Sequence, residues 1–262
     1  MDVSTLVFAN QKGGVGKSTL SVLWSHHAVD KCGERVCVID LDSQANTSKS
    51  LERYDCGIAS TELFKPDRIA LPPDATQPLV LFPGAKVLAD LERASPAAIL
   101  PAFVEHVRAL GETFDACVID TPPALGLRMS AALMAADHVC CPIELEEYSI
   151  DGVTDMLKTI LGVRQRYNPR LAMLGIVPNR FNAHSVRQKA ALQELITHYS
   201  AFVIPAKVST RSAIPEALAA GVPVWRLAKS SAREASAEVL ALFALLRRKM
   251  AETGAGQGVE AA

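Results

Sequence analysis

The stretch "ANQKGGVGKST", residues 9 to 19, holds the residues best suited to chemistry. Gly13, Gly14 and Gly16 permit close backbone approach and positive φ, Lys17 supplies a cation, and the Ser18 hydroxyl suits Mg²⁺. An apolar strand precedes the run and a helical pattern starts at Lys17. Gly13, Gly14, Val15, Gly16, Lys17, Ser18 and Thr19 therefore form a candidate phosphate cradle at a helix N-terminus. The usual first glycine of G-x-x-x-x-G-K-[ST] is replaced by Gln11, and a second lysine, Lys12, follows it. One lysine suffices for the β/γ oxygens, so Lys12 needs a role of its own.

Two further segments end strands in carboxylates, as metal-assisted phosphoryl transfer requires. "VCVIDLDSQANTS" puts Asp40 at a strand tip with Asp42 two residues on, and "ACVIDTPPALG" puts Asp120 at another, before Pro122 and Pro123. A lone Asp at a strand end is usually a cap or turn former. Two such tips behind a phosphate loop favour a ligand site, because the C-terminal edge of a parallel sheet is where the loop holds its ligand.

The elements that must carry these residues alternate along the chain. Apolar runs of strand length occur at 5–10, 35–40, 78–83, 115–120, 138–144, 171–179 and 201–205, and helical patterns at 17–31, 96–110, 149–167, 186–198 and 232–250. Nearly continuous hydrophobic strands belong to a parallel sheet buried on both faces, which predicts an α/β, doubly wound fold with helices on both sides. Residues 55–95, with Pro66, Pro72, Pro73, Pro78 and Pro83, read as an irregular excursion within one domain of residues 1–250. The Gly-rich segment 251–262 reads as a flexible tail.

At 262 residues and 49% hydrophobic composition, the chain needs no disulfides to build a core. No apolar run reaches membrane-span length and the N-terminus lacks a signal peptide's basic region, so a cytosolic location is expected. The six cysteines contain no C-x-x-C pair and read as buried small hydrophobes. Net charge is −1, but it is unevenly spread: residues 1–163 hold 13 basic and 22 acidic residues, and residues 164–249 hold 14 basic and 4 acidic. A basic third attached to an acidic body suggests a polyanionic partner.

"KGGVGKST", "DLDSQAN", "DTPP" and "IPAKVSTRSAIPEALAAGVPVW" together resemble the deviant Walker A, switch I, switch II and adenine-side segments of the ParA/MinD ATPase superfamily, most closely ParA proteins of plasmid partition. The resemblance spans residues 4–245 and implies ATP and Mg²⁺ as cofactors and an ATP-sandwiched homodimer. In relatives the lysine matching Lys12 crosses to the partner's phosphates, a candidate answer to why the loop carries two lysines. By the same carry-over, Lys17 and Ser18 bind phosphate and Mg²⁺, and Asp120 holds the metal through water. Asp42 positions the attacking water, with Asp40 beside it near the metal. The choice between Asp40 and Asp42 stays open. Ser43 and Ala45 depart from the family's "DPQGN". Glu146 matches a family glutamate or is a helix-start acid. Asn179 and Arg180 are implied at the adenine, with the backbone of Pro205, Lys207 and Val208 completing the pocket.

The resembled partition ATPases bind DNA without sequence preference when dimeric and ATP-loaded. Arg187, Lys189, Arg211, Lys229, Arg233, Arg247 and Arg248 are the corresponding candidates, and four acids among fourteen bases predict little self-neutralisation. The implied function is DNA segregation, with weak basal hydrolysis stimulated by a ParB-type centromere-binding partner and a place on the nucleoid. The chain starts at the phosphate-loop strand, so an operator-reading helix-turn-helix is not expected. Rival readings share the loop. One is a MinD-like membrane ATPase, using the apolar last helix "EVLALFALLRRKM". Others are an iron–sulfur electron donor, which the cysteine positions disfavour, and an ATPase positioning another cargo on the nucleoid.

Overall fold

In the computed structural model, which describes residues 3–67, 69–70, 77–147 and 150–257, six of the seven apolar runs become strands. They are β1 (Ser4–Phe8), β2 (Val36–Asp40), β3 (Leu79–Phe82), β4 (Ala116–Asp120), β5 (His138–Glu144) and β6 (Ala172–Asn179). The α-helices are α1 (Lys17–Cys32), α2 (Asn46–Ser50), α3 (Pro96–Ala109), α4 (Leu127–Ala135), α5 (Ile150–Arg166), α6 (Val186–Tyr199), α7 (Ala213–Ala219) and α8 (Ser230–Gln257). Pro72 and Pro73 of the excursion, Ser149 at an expected helix start, and residues 258–262 lie outside the described residues.

The strands form one parallel sheet in the order β3-β2-β4-β1-β5-β6. Alternate residues feed opposite cores: Val7, Cys37, Ile39, Cys117 and Ile119 face α3, α4 and α5, whereas Phe8, Val36, Val38 and Val118 face α1, α7 and α8. Burial on both sides is why these strands read as continuous hydrophobic runs. Cys37, Cys117, Cys140 and Cys141 are buried, as their apolar runs predict, whereas Cys56 is half-buried and Cys32 is exposed. Helix α1 is enclosed almost all round, with Leu20 through Ala28 buried. It therefore lacks the amphipathic stripe of a surface helix.

Register matters most for the site. Phe8 pairs with Asp120, and Asp120 with Asp40, so the end of β1 and the two carboxylates lie in one row at the C-terminal edge. Across β5 the same edge aligns Glu144 with Asn179.

The run at 201–205 is not a seventh strand. It makes one parallel bridge, Ile176 to Val203, with Ile176 N donating to Phe202 O at 2.7 Å and Ile204 N to Ile176 O at 2.9 Å. Pro205 has no N–H to extend the ladder, and Ala206 N turns back onto Ile204 O at 2.7 Å. The last helix also runs on to Gln257, seven residues into the segment expected to be flexible. Tertiary contact supports this extension: Thr253 Oγ1 lies 3.0 Å from His138 Nε2 and bonds back to Lys249 O and Met250 O, each at 3.0 Å.

Candidate functional site

The loop after β1 is shaped by glycine. Gly14 (φ 77°) and Gly16 (φ 91°) occupy the left-handed region, and a Cβ on Gly16 would overlap the Asn179 amide. Gly16 caps α1 with no side-chain hydrogen bond and no acid follows in the first turn, so the helix's first N–H groups face the cleft without an anion of their own. Asn10 anchors the loop from β5, donating to Pro142 O at 2.8 Å and accepting Lys12 N at 2.9 Å. Lys17 is 6% exposed and its Nζ donates to Lys12 O at 2.8 Å. Burial lowers the Lys17 pKa, and Asp120 and Asp42 oppose that. The two lysines of the loop are thus joined, one ammonium on the other's carbonyl.

Asn179 and Arg180, expected at the adenine, hold the phosphate loop. Asn179 Nδ2 donates to Val15 O at 2.8 Å and Arg180 Nη1 to Gly14 O at 3.0 Å. Arg180 also lines the cleft. Pro205 and Lys207 line a different, apolar groove against α6 with Leu192 and Ile196. Lys207 Nζ sits 4.3 Å from the Phe181 ring centre, and Val208 is buried with its amide on Pro178 O at 3.0 Å.

The carboxylates divide by environment. Asp40 is fully buried with both oxygens engaged: Oδ1 accepts Asp42 N at 3.0 Å, and Oδ2 accepts Ser48 N at 2.9 Å and Ser48 Oγ at 2.6 Å. Asp40 thus braces the loop after β2 from inside. Asp42 lines the cleft, its Oδ1 accepting Gln44 N at 3.0 Å. Asp120 is fully buried; Thr47 Oγ1 donates to its Oδ2 at 2.8 Å, and Oδ1 has no hydrogen-bond partner. Burial, and then the Asp40 charge, push its pKa up to about 7, against the pull of Ser18, Thr47 and Lys17. A buried carboxylate oxygen left without a donor, with the Ser18 hydroxyl nearby, fits a hard oxygen-seeking cation such as Mg²⁺. Asp40, expected beside the metal, accepts hydrogen bonds from Asp42 N and Ser48 within the loop.

These groups surround a cleft of about 580 Å³ whose walls include Gly14, Lys17, Ser18, Thr19, Asp42 and Lys49. That volume falls within the range of small-molecule sites. Sequence reasoning passed over Thr47 and Ser48, which pin the two buried carboxylates. The signal was available in "ANTSKS", whose hydroxyls at Thr47 and Ser48 fall five and six residues beyond Asp42. The positions of Ser43 and Ala45 also gain meaning: Ala45 adopts φ 53°, a conformation natural to glycine.

The basic third is more self-neutralised than its counts suggested. Arg211 pairs with Glu234 and Glu238, Lys229 with Glu216, and Arg247 with Glu34, so these three candidates for DNA contact are engaged within the chain. Three of the segment's four acids are used there, because helix and loop packing brings charges together that are distant in sequence. Arg187, Lys189, Arg233 and Arg248 are exposed. Glu146 accepts from Gln188 Nε2 at 2.8 Å, and so ties the loop after β5 to α6. The apolar face of α8, including Val239, Leu242, Phe243 and Leu246, is core. Among the described residues no helix is long and apolar enough to cross a membrane.

A family model described as an AAA domain matches residues 3–173. The chain is 43% identical over 263 residues to Protein IncC of Escherichia coli, spanning 95% of this chain and 70% of that protein. It is 31% identical over 234 residues to the chromosome partitioning protein ParA of Caulobacter vibrioides, with 84% and 85% of the two chains covered. Among solved structures, the ATP complex of Cyanothece McdA aligns with a TM-score of 0.78 at 20% identity, covering 94% of this chain and 96% of that one. At that identity the likeness concerns the fold.

Proposed function

The chain belongs to the ParA/MinD superfamily of P-loop ATPases, close to its plasmid partition proteins, and from that premise we propose that it is an ATP-dependent DNA partition ATPase. The observation that carries the reading is the single cleft at the α1 N-terminus onto which Lys17, Ser18 and Asp42 open, with the unsatisfied oxygen of Asp120 buried behind it. Phosphates are received by the loop amides and Lys17. Ser18 and Asp120 would hold Mg²⁺, which would supply charge neutralisation to the phosphates. Asp42 orients the attacking water. Asp40 stands beside Asp42 and holds the loop.

The Lys17–Lys12 contact suggests how nucleotide prepares the dimer. A phosphate is a stronger acceptor than the Lys12 carbonyl, so its arrival draws the Lys17 ammonium away and frees the segment carrying Lys12 to reorganise. Two ATP-loaded copies then pack face to face, with Lys12 of each directed at the partner's phosphates. The dimer doubles a basic footprint made of Arg187, Lys189, Arg233 and Arg248, and binds DNA without sequence preference. Hydrolysis, stimulated by a ParB-type adaptor, releases it. The setting is the cytoplasm, on the nucleoid. Burial of the α8 apolar face supports this reading over a lipid-inserting one.

Sedimentation with ADP and with a slowly hydrolysed ATP analogue tests the proposal. Lys17→Ala should lose nucleotide, Lys12→Ala should keep nucleotide yet stay monomeric, and Asp42→Ala should remain dimeric with ATP itself. A Lys12→Ala variant that dimerises as well as the parent chain would refute the cross-subunit role.

A further inference from the structure

The peptide unit joining Leu41 to Asp42 is gripped from both sides by charged groups. Its N–H, that of Asp42, donates to Asp40 Oδ1 at 3.0 Å, and its carbonyl, that of Leu41, accepts Nη1 of Arg128 at 3.0 Å. The Leu41 amide is also fixed, donating to Asp120 O at 2.9 Å. Arg128 stands in the first turn of α4, the helix that follows the Asp120 strand and the two prolines, and it is 6% exposed. Its Nε donates to Glu92 Oε1 at 2.8 Å, and the other Glu92 oxygen accepts Leu127 N at 2.6 Å. A Cβ on Gly126 would overlap this carboxylate, so Glu92 is seated directly on the start of α4.

Glu92 belongs to the 3₁₀ segment Lys86–Arg93, and the approach to that segment is tied to the same loop. Gly84 N donates to Ser48 Oγ at 2.8 Å, and that hydroxyl donates to Asp40. A Cβ on Gly84 would lie 2.9 Å from Asp42 O and 3.0 Å from Asp40 Cγ, which shows how closely this backbone presses on the carboxylate loop. Asp40, Ser48, Gly84, Glu92, Arg128 and Leu41 thus close a ring of contacts around the base of Asp42.

Arg128 is buried, but Glu92 is open to solvent, its side chain 30% exposed, so the pair itself stabilises the fold by only about 1 kcal/mol or less. What the pair does provide is direction: the guanidinium offers separate N–H groups at fixed angles to Glu92 and to the Leu41 carbonyl. Burial raises the Glu92 pKa, but Arg128 and the Leu127 amide more than offset this and hold its carboxyl below the usual range. The brace is therefore charged at neutral pH.

We propose that Arg128, braced by Glu92, is a positioning residue for nucleotide hydrolysis: it orients the Leu41–Asp42 peptide and so fixes where Asp42 meets the attacking water. This rests on the ATPase reading above. Arg128 reaches neither the phosphate loop nor the cleft wall, so nucleotide affinity is not its task.

The test compares single-turnover ATP hydrolysis, nucleotide affinity and melting temperature in the parent chain, Arg128→Lys, Arg128→Met and Glu92→Gln. A lysine offers one nitrogen in place of the two, Nε and Nη1, that meet Glu92 and Leu41 O, so it does not reproduce both contacts at their present angles. Both Arg128 variants should lose about ten-fold or more in the hydrolysis rate, since a misplacement of about 1 Å near the chemistry can cost about 100-fold. Their nucleotide affinity should stay within about two-fold of the parent by the same reasoning. Glu92→Gln keeps an acceptor for the Leu127 amide and should lose less. Parent-like rates in folded Arg128→Lys and Arg128→Met would overturn the proposal. So would a joint fall of rate, affinity and melting temperature in Arg128→Lys, the mark of a merely structural role. A parent chain that binds but never hydrolyses ATP would overturn the ATPase reading itself, a result distinct from either.

Discussion

Replacing Arg247 by alanine separates a structural arginine from a DNA-binding one. Arg247 was a candidate phosphate contact by sequence, yet its Nη1 and Nη2 meet the two oxygens of Glu34 at 2.7 and 2.6 Å, and its guanidinium lies 4.6 Å from the Trp24 ring centre. The two side chains are 24% and 25% exposed. An exposed pair contributes up to about 1 kcal/mol and breaking a buried one costs about 3–5 kcal/mol. This fork lies between those limits, and the cation–π contact adds about 0.5–1 kcal/mol. A loss of about 2–3 kcal/mol follows, or roughly 5–10 °C in Tm for a chain of this size. Arg248 is exposed on the same helix, so Arg248→Ala should change stability by about 0.5 kcal/mol or less. DNA binding should respond in the opposite sense. Each phosphate contact contributes about 0.9 to the slope of log K against log salt, so Arg248→Ala should flatten the slope by about 2 per dimer, and Arg247→Ala should leave it unchanged. Thermal melting and a salt series on a random duplex read both quantities. Parent-like melting of Arg247→Ala together with a flattened slope would refute the reasoning.

Acid stability should carry the mark of His26, which is buried and neutral. Burial, opposed by Asp30, lowers its pKa from 6.5 to about 4. The unfolded chain then binds the extra proton first, so stability is full above pH 6.5 and falls as pH drops toward 4. About 2.5 kcal/mol should be lost from this group between pH 7.5 and 4.5. Denaturant unfolding at the two pH values should show a smaller difference in His26→Phe, and an unchanged difference would contradict the assignment. Ala45→Gly should stabilise by up to about 1 kcal/mol, because Ala45 sits at φ 53° and glycine relieves that strain. A lower unfolding midpoint in Ala45→Gly would show that the loop needs alanine for another reason.

The fold was legible because its signals are local. Strands buried on both faces leave unbroken apolar runs, and the loop "KGGVGKST" requires glycines at Gly14 and Gly16 that the backbone angles account for. The in-row placement of Asp40 and Asp120 agrees with two strands that end in the same residues, "VID". Properties decided by distant partners were not legible. The choice between Asp40 and Asp42 was open in the sequence, which does not show that Ser48 engages Asp40. Asn179 and Arg180 were expected at the adenine; that β6 ends beside the phosphate loop, where their donors meet the Val15 and Gly14 carbonyls, was not legible. The run at 201–205 had strand composition, and Pro205 with the turn at Ala206 ended its pairing after one bridge. The charge count of the basic third gave no hint that Arg247 would find Glu34, 213 residues away.

We propose that ATP switches DNA binding through dimerisation at this cleft. The most direct test is binding of the purified chain to a random-sequence duplex, with ADP and with a slowly hydrolysed ATP analogue, across a salt series. Tight binding with the analogue alone, falling steeply with salt, is the expected result. Equal binding in both nucleotide states, or none in either at low salt, would contradict it.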